Sequence, residues 1–223
     1  MKELHAVIFD LDGVITDTAE YHYLAWKALA EELGISFDRE FNEQLKGISR
    51  MESLEKILIK GGKENEFTYE EKEKLATQKN EHYKTLIKRI TPNDLLPGIE
   101  AFLQEIKAAN IKIGLASASK NAFSVIESLQ VGNYFDTIVD AATVKNSKPD
   151  PEVFLKAADQ LNVAYENCVG VEDAEAGVEA IKRAGMFAVG VGTKEAMAKA
   201  DYIVNSTGEL TLAKVKEKFL AAK

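Results

Sequence analysis

The chain has 223 residues, 46% hydrophobic and 29% charged, an ordinary soluble composition long enough for one good core and a smaller accessory domain. With 28 Lys and Arg against 36 Asp and Glu the formal net charge is −8. This argues against a nucleic-acid or anionic-membrane surface, because a polyanion does not attract an acidic protein. A single cysteine, Cys168, excludes an intramolecular disulfide and points to a reducing compartment.

The polar start Met1-Lys2-Glu3-Leu4 runs into an apolar stretch too short for a signal peptide or a membrane span, so a cytoplasmic location is expected. That stretch, Ala6-Val7-Ile8-Phe9, lacks polar alternation, which predicts a strand buried on both faces, as in a parallel sheet. It ends in Asp10-Leu11-Asp12-Gly13. A helix follows, with Asp17 as its expected cap and Glu20 reaching back in a capping box. Tyr21, Leu24, Ala25, Ala28 and Leu29 are expected on its buried face, and Gly34 at its end.

Ser49 with Glu52, and Thr68 with Glu71, are two more capping-box signatures. Residues 17–91 therefore read as a helical domain inserted after the first strand, with residues 1–16 and 92–223 forming the core domain. Beyond Pro92 and Pro97-Gly98, strands and helices alternate. Strands are predicted at Ile111–Ala116, Thr137–Val139, Cys168–Val171, Phe187–Val189 and Tyr202–Val204. Helices are predicted at Asn121–Leu129, Pro151–Leu161 and Ala174–Ala184, with another at the C-terminus. The predicted fold class is α/β: a doubly wound, Rossmann-like parallel sheet with an inserted helical domain.

In such sheets ligands bind at the carboxyl ends of the strands. Those ends carry Asp10 and Asp12, then Ser117, Ser119 and Lys120, then Lys148-Pro149, then Glu172 and Asp173. Crowded carboxylates call for a cation, and Mg²⁺ is hard, prefers oxygen and bridges carboxylates to phosphate. Asp10, Asp173 and Glu172 are the candidate side-chain ligands. Ser117 and Lys148 are placed to receive a phosphoryl group, the lysine stabilising charge on its oxygens.

These motifs in this order resemble the haloacid dehalogenase superfamily: Asp10-Leu11-Asp12-Gly13-Val14, Ser117 after a strand, Lys148-Pro149, and Glu172-Asp173 after another strand. The resemblance spans essentially the whole chain, the helical insertion corresponding to a cap. It implies that Asp10 is a nucleophile that becomes an aspartyl phosphate. Asp12 would be the general acid and base and would offer its backbone carbonyl to Mg²⁺, with one ion per active site. Asp17-Thr18-Ala19-Glu20-Tyr21-His22, Trp26, Leu45-Lys46-Gly47-Ile48-Ser49-Arg50 and Ser117-Ala118-Ser119-Lys120-Asn121 are similar, more narrowly, to the β-phosphoglucomutase family.

That likeness implies that Arg50 holds the phosphate not being transferred and that Lys46, beside Gly47, contacts the sugar. Thr18 and His22 would lie at the hinge and near Asp12. Ser117, Ala118, Ser119, Lys120 and Asn121 would bind phosphate and substrate. The implied reaction is β-glucose 1-phosphate to glucose 6-phosphate through β-glucose 1,6-bisphosphate, which also primes the enzyme. A sugar-phosphate phosphatase on the same scaffold is the alternative, and a non-catalytic binding protein a more distant one. The implied partners are small-molecule sugar phosphates, with no nucleic acid and no membrane, and a monomer is expected.

Several residues also have plainer explanations. Trp26 suits cap core. Lys79 is a candidate to reach substrate from a long helix, although its polar neighbours favour a solvated side chain. Glu172-Asp173 would also serve as a helix cap. Gly190-Val191-Gly192-Thr193-Lys194 lacks phosphate-loop spacing and reads as the turn after a late strand.

Overall fold

The computed structural model of the protein describes residues 3–222. The chain divides into two compact units, one made of the described residues up to Asp17 together with those from Ile90 onward, the other of Thr18–Arg89.

The first unit is built on six parallel strands: β1 (Ala6–Phe9), β2 (Lys112–Leu115), β3 (Thr137–Ile138), β4 (Cys168–Glu172), β5 (Phe187–Val191) and β6 (Tyr202–Val204), in the order β3-β2-β1-β4-β5-β6. β1, β4 and β5 are buried at every position, as runs without alternation should be. The order reverses direction between β1 and β4, the place where doubly wound sheets open a crevice at their carboxyl ends. Register is fixed there by Phe9 opposite both Leu115 and Val171. The ladder runs one residue further, with Asp10 N–H donating to Val171 O at 2.9 Å and Ala116 N–H to Phe9 O at 2.8 Å.

Four of this unit's helices are α5 (Ile99–Ala108), α6 (Ala122–Ser128), α7 (Glu152–Leu161) and α8 (Glu175–Arg183); the last is α9 (Leu212–Ala221). Phe154, Ala157, Ala158 and Leu161 of α7 join Val178 and Ile181 of α8 in one core cluster with Ala6, Ile8, Cys168 and Ala188 of the sheet. In a second set of contacts Phe9 of β1 meets Phe102 of α5 edge-on, and Phe187 of β5 meets Phe219 of α9 likewise, each with ring centroids 5.7 Å apart. α5 was not expected from the sequence. Its apolar stripe of Ile99, Phe102, Leu103 and Ile106 is nevertheless regular, and Gly98 starts it in the left-handed region at φ 79°.

The second unit contains α1 (Ala19–Glu32), α2 (Arg39–Glu43), α3 (Arg50–Lys60) and α4 (Tyr69–Ile87). Ser49 and Thr68 cap α3 and α4 in complete capping boxes with Glu52 and Glu71. α1 differs from expectation in two ways. Its cap residue is Thr18 rather than Asp17, without a side-chain capping bond. Glu20 does not reach back, because both of its carboxylate oxygens accept hydrogen bonds from Arg39. The buried face of α1 also differs: Tyr23, Trp26 and Ala30 go inward with Ala25 and Leu29, while Leu24 is exposed. α1 has apolar residues around most of its circumference. The large rings decide its orientation by packing with Phe37, Leu45, Leu54 and Ile57.

Candidate active site

The turn after β1 is closed locally. Leu11 O accepts from Ile15 N–H at 2.9 Å, and Gly13 N–H donates to Thr16 O at 2.8 Å. This holds Asp10 and Asp12 at the strand end. Gly13 is left-handed at φ 79°, and a Cβ there would collide with the carboxylate of Asp173. Glycine is required at this turn on both counts.

Asp10, Lys148 and Glu172 form a buried ionic group. Lys148 Nζ donates to Asp10 Oδ1 at 2.6 Å and to Glu172 Oε2 at 2.7 Å, with Lys148 1% and Glu172 0% exposed. The Lys148 ammonium also lies 5.1 Å from the ring centroid of Phe154 on α7. Burial alone would lower the Lys148 pKa, but Asp10 and Glu172 outweigh it and hold the pKa above the ordinary lysine value. The amine is therefore charged across the neutral range. Glu172 is pushed upward, first by burial and then by the Asp10 charge, with Lys148 pulling the other way. Its Oε1 accepts from the backbone N–H groups of Asp173 and Ala174 at 3.2 and 3.3 Å. The cap residue of α8 is Ala174, so the cap expected of Glu172-Asp173 falls one residue further on.

Asp10, Glu172 and Asp173 each offer a carboxylate oxygen within 4.8 Å of the others. Lys148 pairs with two of these three carboxylates, Asp10 and Glu172. An all-oxygen, carboxylate-rich donor set suits a hard divalent cation.

At the end of β2, Ser117 is buried and its Oγ accepts from Ser119 N–H at 3.1 Å, while Ser119 Oγ accepts from Asn121 N–H at 3.2 Å. These hydroxyls set the path of the loop from β2 into α6. Ala118 is partly buried, Lys120 is exposed and Asn121 is buried. The loop before Lys148 is held by Glu152, whose carboxylate accepts from the N–H groups of Lys145 at 2.9 Å and Asn146 at 2.8 Å. Glu152 was not singled out from the sequence, although it stands only one turn beyond Lys148.

In the helical unit, Lys79 Nζ meets His22 Nδ1 at 2.8 Å, and the His22 ring stacks on Tyr83 with centroids 4.1 Å apart. Lys79 is 4% exposed and lies over the Trp26 ring at 4.6 Å, so the solvated position favoured by its polar neighbours does not hold. Tyr83 was not anticipated; its spacing of four residues from Lys79 on α4 was the available signal. Burial, then the charges of Lys79 and Arg50, hold His22 well below the ordinary histidine value. The imidazole is neutral, and its Nδ1 accepts from the Lys79 ammonium.

Arg50, the first residue of α3, is lowered by burial, with Glu81 opposing. Lys46 pairs with Glu43 at 2.8 Å, and Gly47 beside it is left-handed at φ 74°. Thr18 is fully buried, and its Oγ1 has no hydrogen-bond partner among the described residues. Gly190 and Val191, expected in a turn, lie within β5 because they pair with β4 and β6; the turn begins at Gly192. No helix among the described residues is long and apolar enough to cross a membrane.

The model of the family described as haloacid dehalogenase-like hydrolase matches residues 7–191. The chain is 55% identical over 216 residues to β-phosphoglucomutase of Bacillus subtilis (strain 168), covering 97% of this chain and 96% of that one. It is 33% identical over 189 residues to a phosphorylated carbohydrates phosphatase of Thermotoga maritima, covering 82% of each. The crystal structure of β-phosphoglucomutase from Clostridium difficile superposes with a TM-score of 0.96 at 54% identity, covering 97% of both chains. A buried Asp10–Lys148–Glu172 group at the switch point of the sheet, together with likeness over nearly the whole length, leads to one conclusion: the chain belongs to the haloacid dehalogenase-like hydrolases and, within them, to the β-phosphoglucomutase family.

Proposed function

We propose that the protein is an isomerase that interconverts β-D-glucose 1-phosphate and glucose 6-phosphate through β-glucose 1,6-bisphosphate and a phosphorylated Asp10. The observation that carries this reading is the Lys148 ammonium fixed 2.6 Å from Asp10 Oδ1, in a chain so similar to β-phosphoglucomutases.

An Asp10 carboxylate oxygen attacks phosphorus and the bond from phosphorus to the sugar oxygen breaks. Asp12 gives a proton to that departing oxygen. On return, Asp12 takes the proton of the other sugar hydroxyl as its oxygen attacks the phosphorus, and Asp10 leaves as a carboxylate. Lys148 offsets the charge that builds on the phosphoryl oxygens. Ser117, Ser119, Lys120, Asn121 and the backbone at Ala118 orient the phosphate.

Asp10, Glu172, Asp173 and the backbone carbonyl of Asp12 would hold one Mg²⁺, which when bound supplies positive charge against crowded carboxylate and phosphoryl oxygens. Glu172 also accepts from Lys148 and two backbone N–H groups, and so holds Lys148 in place. In the helical unit, which this reading takes as the cap, Arg50 grips the second phosphate through its planar fork of donors. Lys46, Gly47, His22, Trp26 and Lys79 serve the sugar, and Thr18 serves the hinge.

The test is incubation with β-glucose 1-phosphate, Mg²⁺ and a trace of the bisphosphate. Glucose 6-phosphate should form with little free phosphate, and Asp10→Asn should abolish turnover. Free phosphate as the main product would overturn the isomerase in favour of a sugar-phosphate phosphatase.

A further inference from the structure

Lys148 is held on one side by Glu172, and Glu172 fits where it does because of what α8 lacks. Gly177 stands in the first turn of α8, and it is buried. A Cβ at this position would fall on Cγ, Cδ and Oε2 of Glu172, far inside the 3.0 Å that real Cβ atoms keep. Oε2 is the oxygen to which Lys148 donates.

The backbone gives no reason for glycine here. Gly177 is not among the residues with positive φ, and glycine is the poorest helix former after proline. The three nearest atoms a methyl group would meet all belong to one side chain rather than to backbone. That side chain is 0% exposed, and its carboxylate receives Lys148 Nζ and the N–H groups of Asp173 and Ala174. Moving it aside takes the second anchor away from Lys148 and leaves the ammonium to Asp10 alone.

We propose that Gly177 is a positioning residue for phosphoryl transfer: by presenting no side chain it seats the Glu172 carboxylate, and through that carboxylate it fixes Lys148 against Asp10. The catalytic consequence rests on the roles proposed above for Asp10 and Lys148; the seating itself does not.

The test is a double-mutant cycle of Gly177→Ala and Glu172→Ala, read in kcat, KM and Tm. In the wild-type background Gly177→Ala should lower kcat by about 10²-fold, the scale of a misplaced electrostatic group, with KM changed by less than about threefold. In the Glu172→Ala background, where the obstructed side chain is gone, it should lower kcat no further. The Tm shift should change sign, from a loss with Glu172 present to a gain of about 2–4 °C without it, because alanine is then simply the better helix former.

Equal losses of kcat in both backgrounds, or Tm shifts of one sign in both, would overturn the proposal. If Glu172→Ala leaves too little folded protein because Lys148 is stranded, the same comparison in Glu172→Ala/Lys148→Met decides by the sign of the Tm shift. A wild-type protein that releases phosphate instead of isomerising would refute the functional reading while leaving the Tm cycle to judge Gly177 on its own.

Discussion

Replacing Lys148 by methionine keeps most of the length and apolar volume of the side chain and deletes its charge. Lys148 sits 2.6 Å from Asp10 Oδ1 and 2.7 Å from Glu172 Oε2. At an effective dielectric of about 20 each contact is worth about 6 kcal/mol of gross attraction. Most of that gross figure is offset by the cost of taking the ammonium out of water, and its removal strands two carboxylates in a buried site. Breaking a buried pair in this way typically costs about 3–5 kcal/mol.

At roughly 2–4 °C per kcal/mol for a domain of this size, Lys148→Met should lower Tm by roughly 6–20 °C. It should also lower kcat by about 10²–10³-fold, the usual loss when one charge-stabilising group is removed. Thermal unfolding followed by circular dichroism, and the coupled glucose 6-phosphate assay at saturating substrate, measure the two effects separately. A variant with wild-type Tm would show that the ionic group does not support the fold. One with kcat within tenfold of wild type would remove Lys148 from phosphoryl transfer.

The His22 ring should not titrate near pH 6.5, where a free histidine does, because burial, then the Lys79 and Arg50 charges, hold its folded pKa well below that value. Below the unfolded value near 6.5 the unfolded chain takes up a proton that the folded one refuses, so stability should fall as pH drops from about 6.5. The chain has three histidines, which makes assignment by NMR direct, and a His22 midpoint near 6.5 would refute the burial argument. Glu152→Ala should speed hydrogen exchange at the Lys145 and Asn146 amides and reduce kcat several-fold by loosening the loop that carries Lys148; unchanged exchange at both amides would show that the loop holds itself. The Glu152 carboxyl is pushed down to about 2, chiefly by those two N–H groups, so this restraint is fully present above the ordinary glutamate pKa and is lost as pH falls through about 2.

Much of the architecture could be read from local patterns. Parallel strands buried on both faces show as unbroken apolar runs, so Ala6–Phe9 and Cys168–Val171 declare themselves, and the capping boxes at Ser49 and Thr68 announce two helices. Where local signals competed, packing and long-range pairs decided. Glu20 was drawn from its expected cap to Arg39, nineteen residues on. The face of α1 was chosen by Tyr23 and Trp26 rather than by the leucine-and-alanine stripe. Lys79 lies in a charged stretch that resembles solvated surface, and aromatic neighbours from α1 and α4 bury it.

The Asp10-Leu11-Asp12-Gly13 segment, Ser117, Lys148 and Glu172-Asp173 were assigned to one edge of the molecule by sequence alone, because each follows an apolar run or lies in the loop beyond one, and strand ends in such a sheet face the same way. Tertiary structure alone decided what those residues do to one another. Lys148 and Asp10 are 138 positions apart, and no local propensity encodes their 2.6 Å contact. It follows from a strand order that sets β1 beside β4, and from a helix that leaves Gly177 bare where the Glu172 carboxylate must lie.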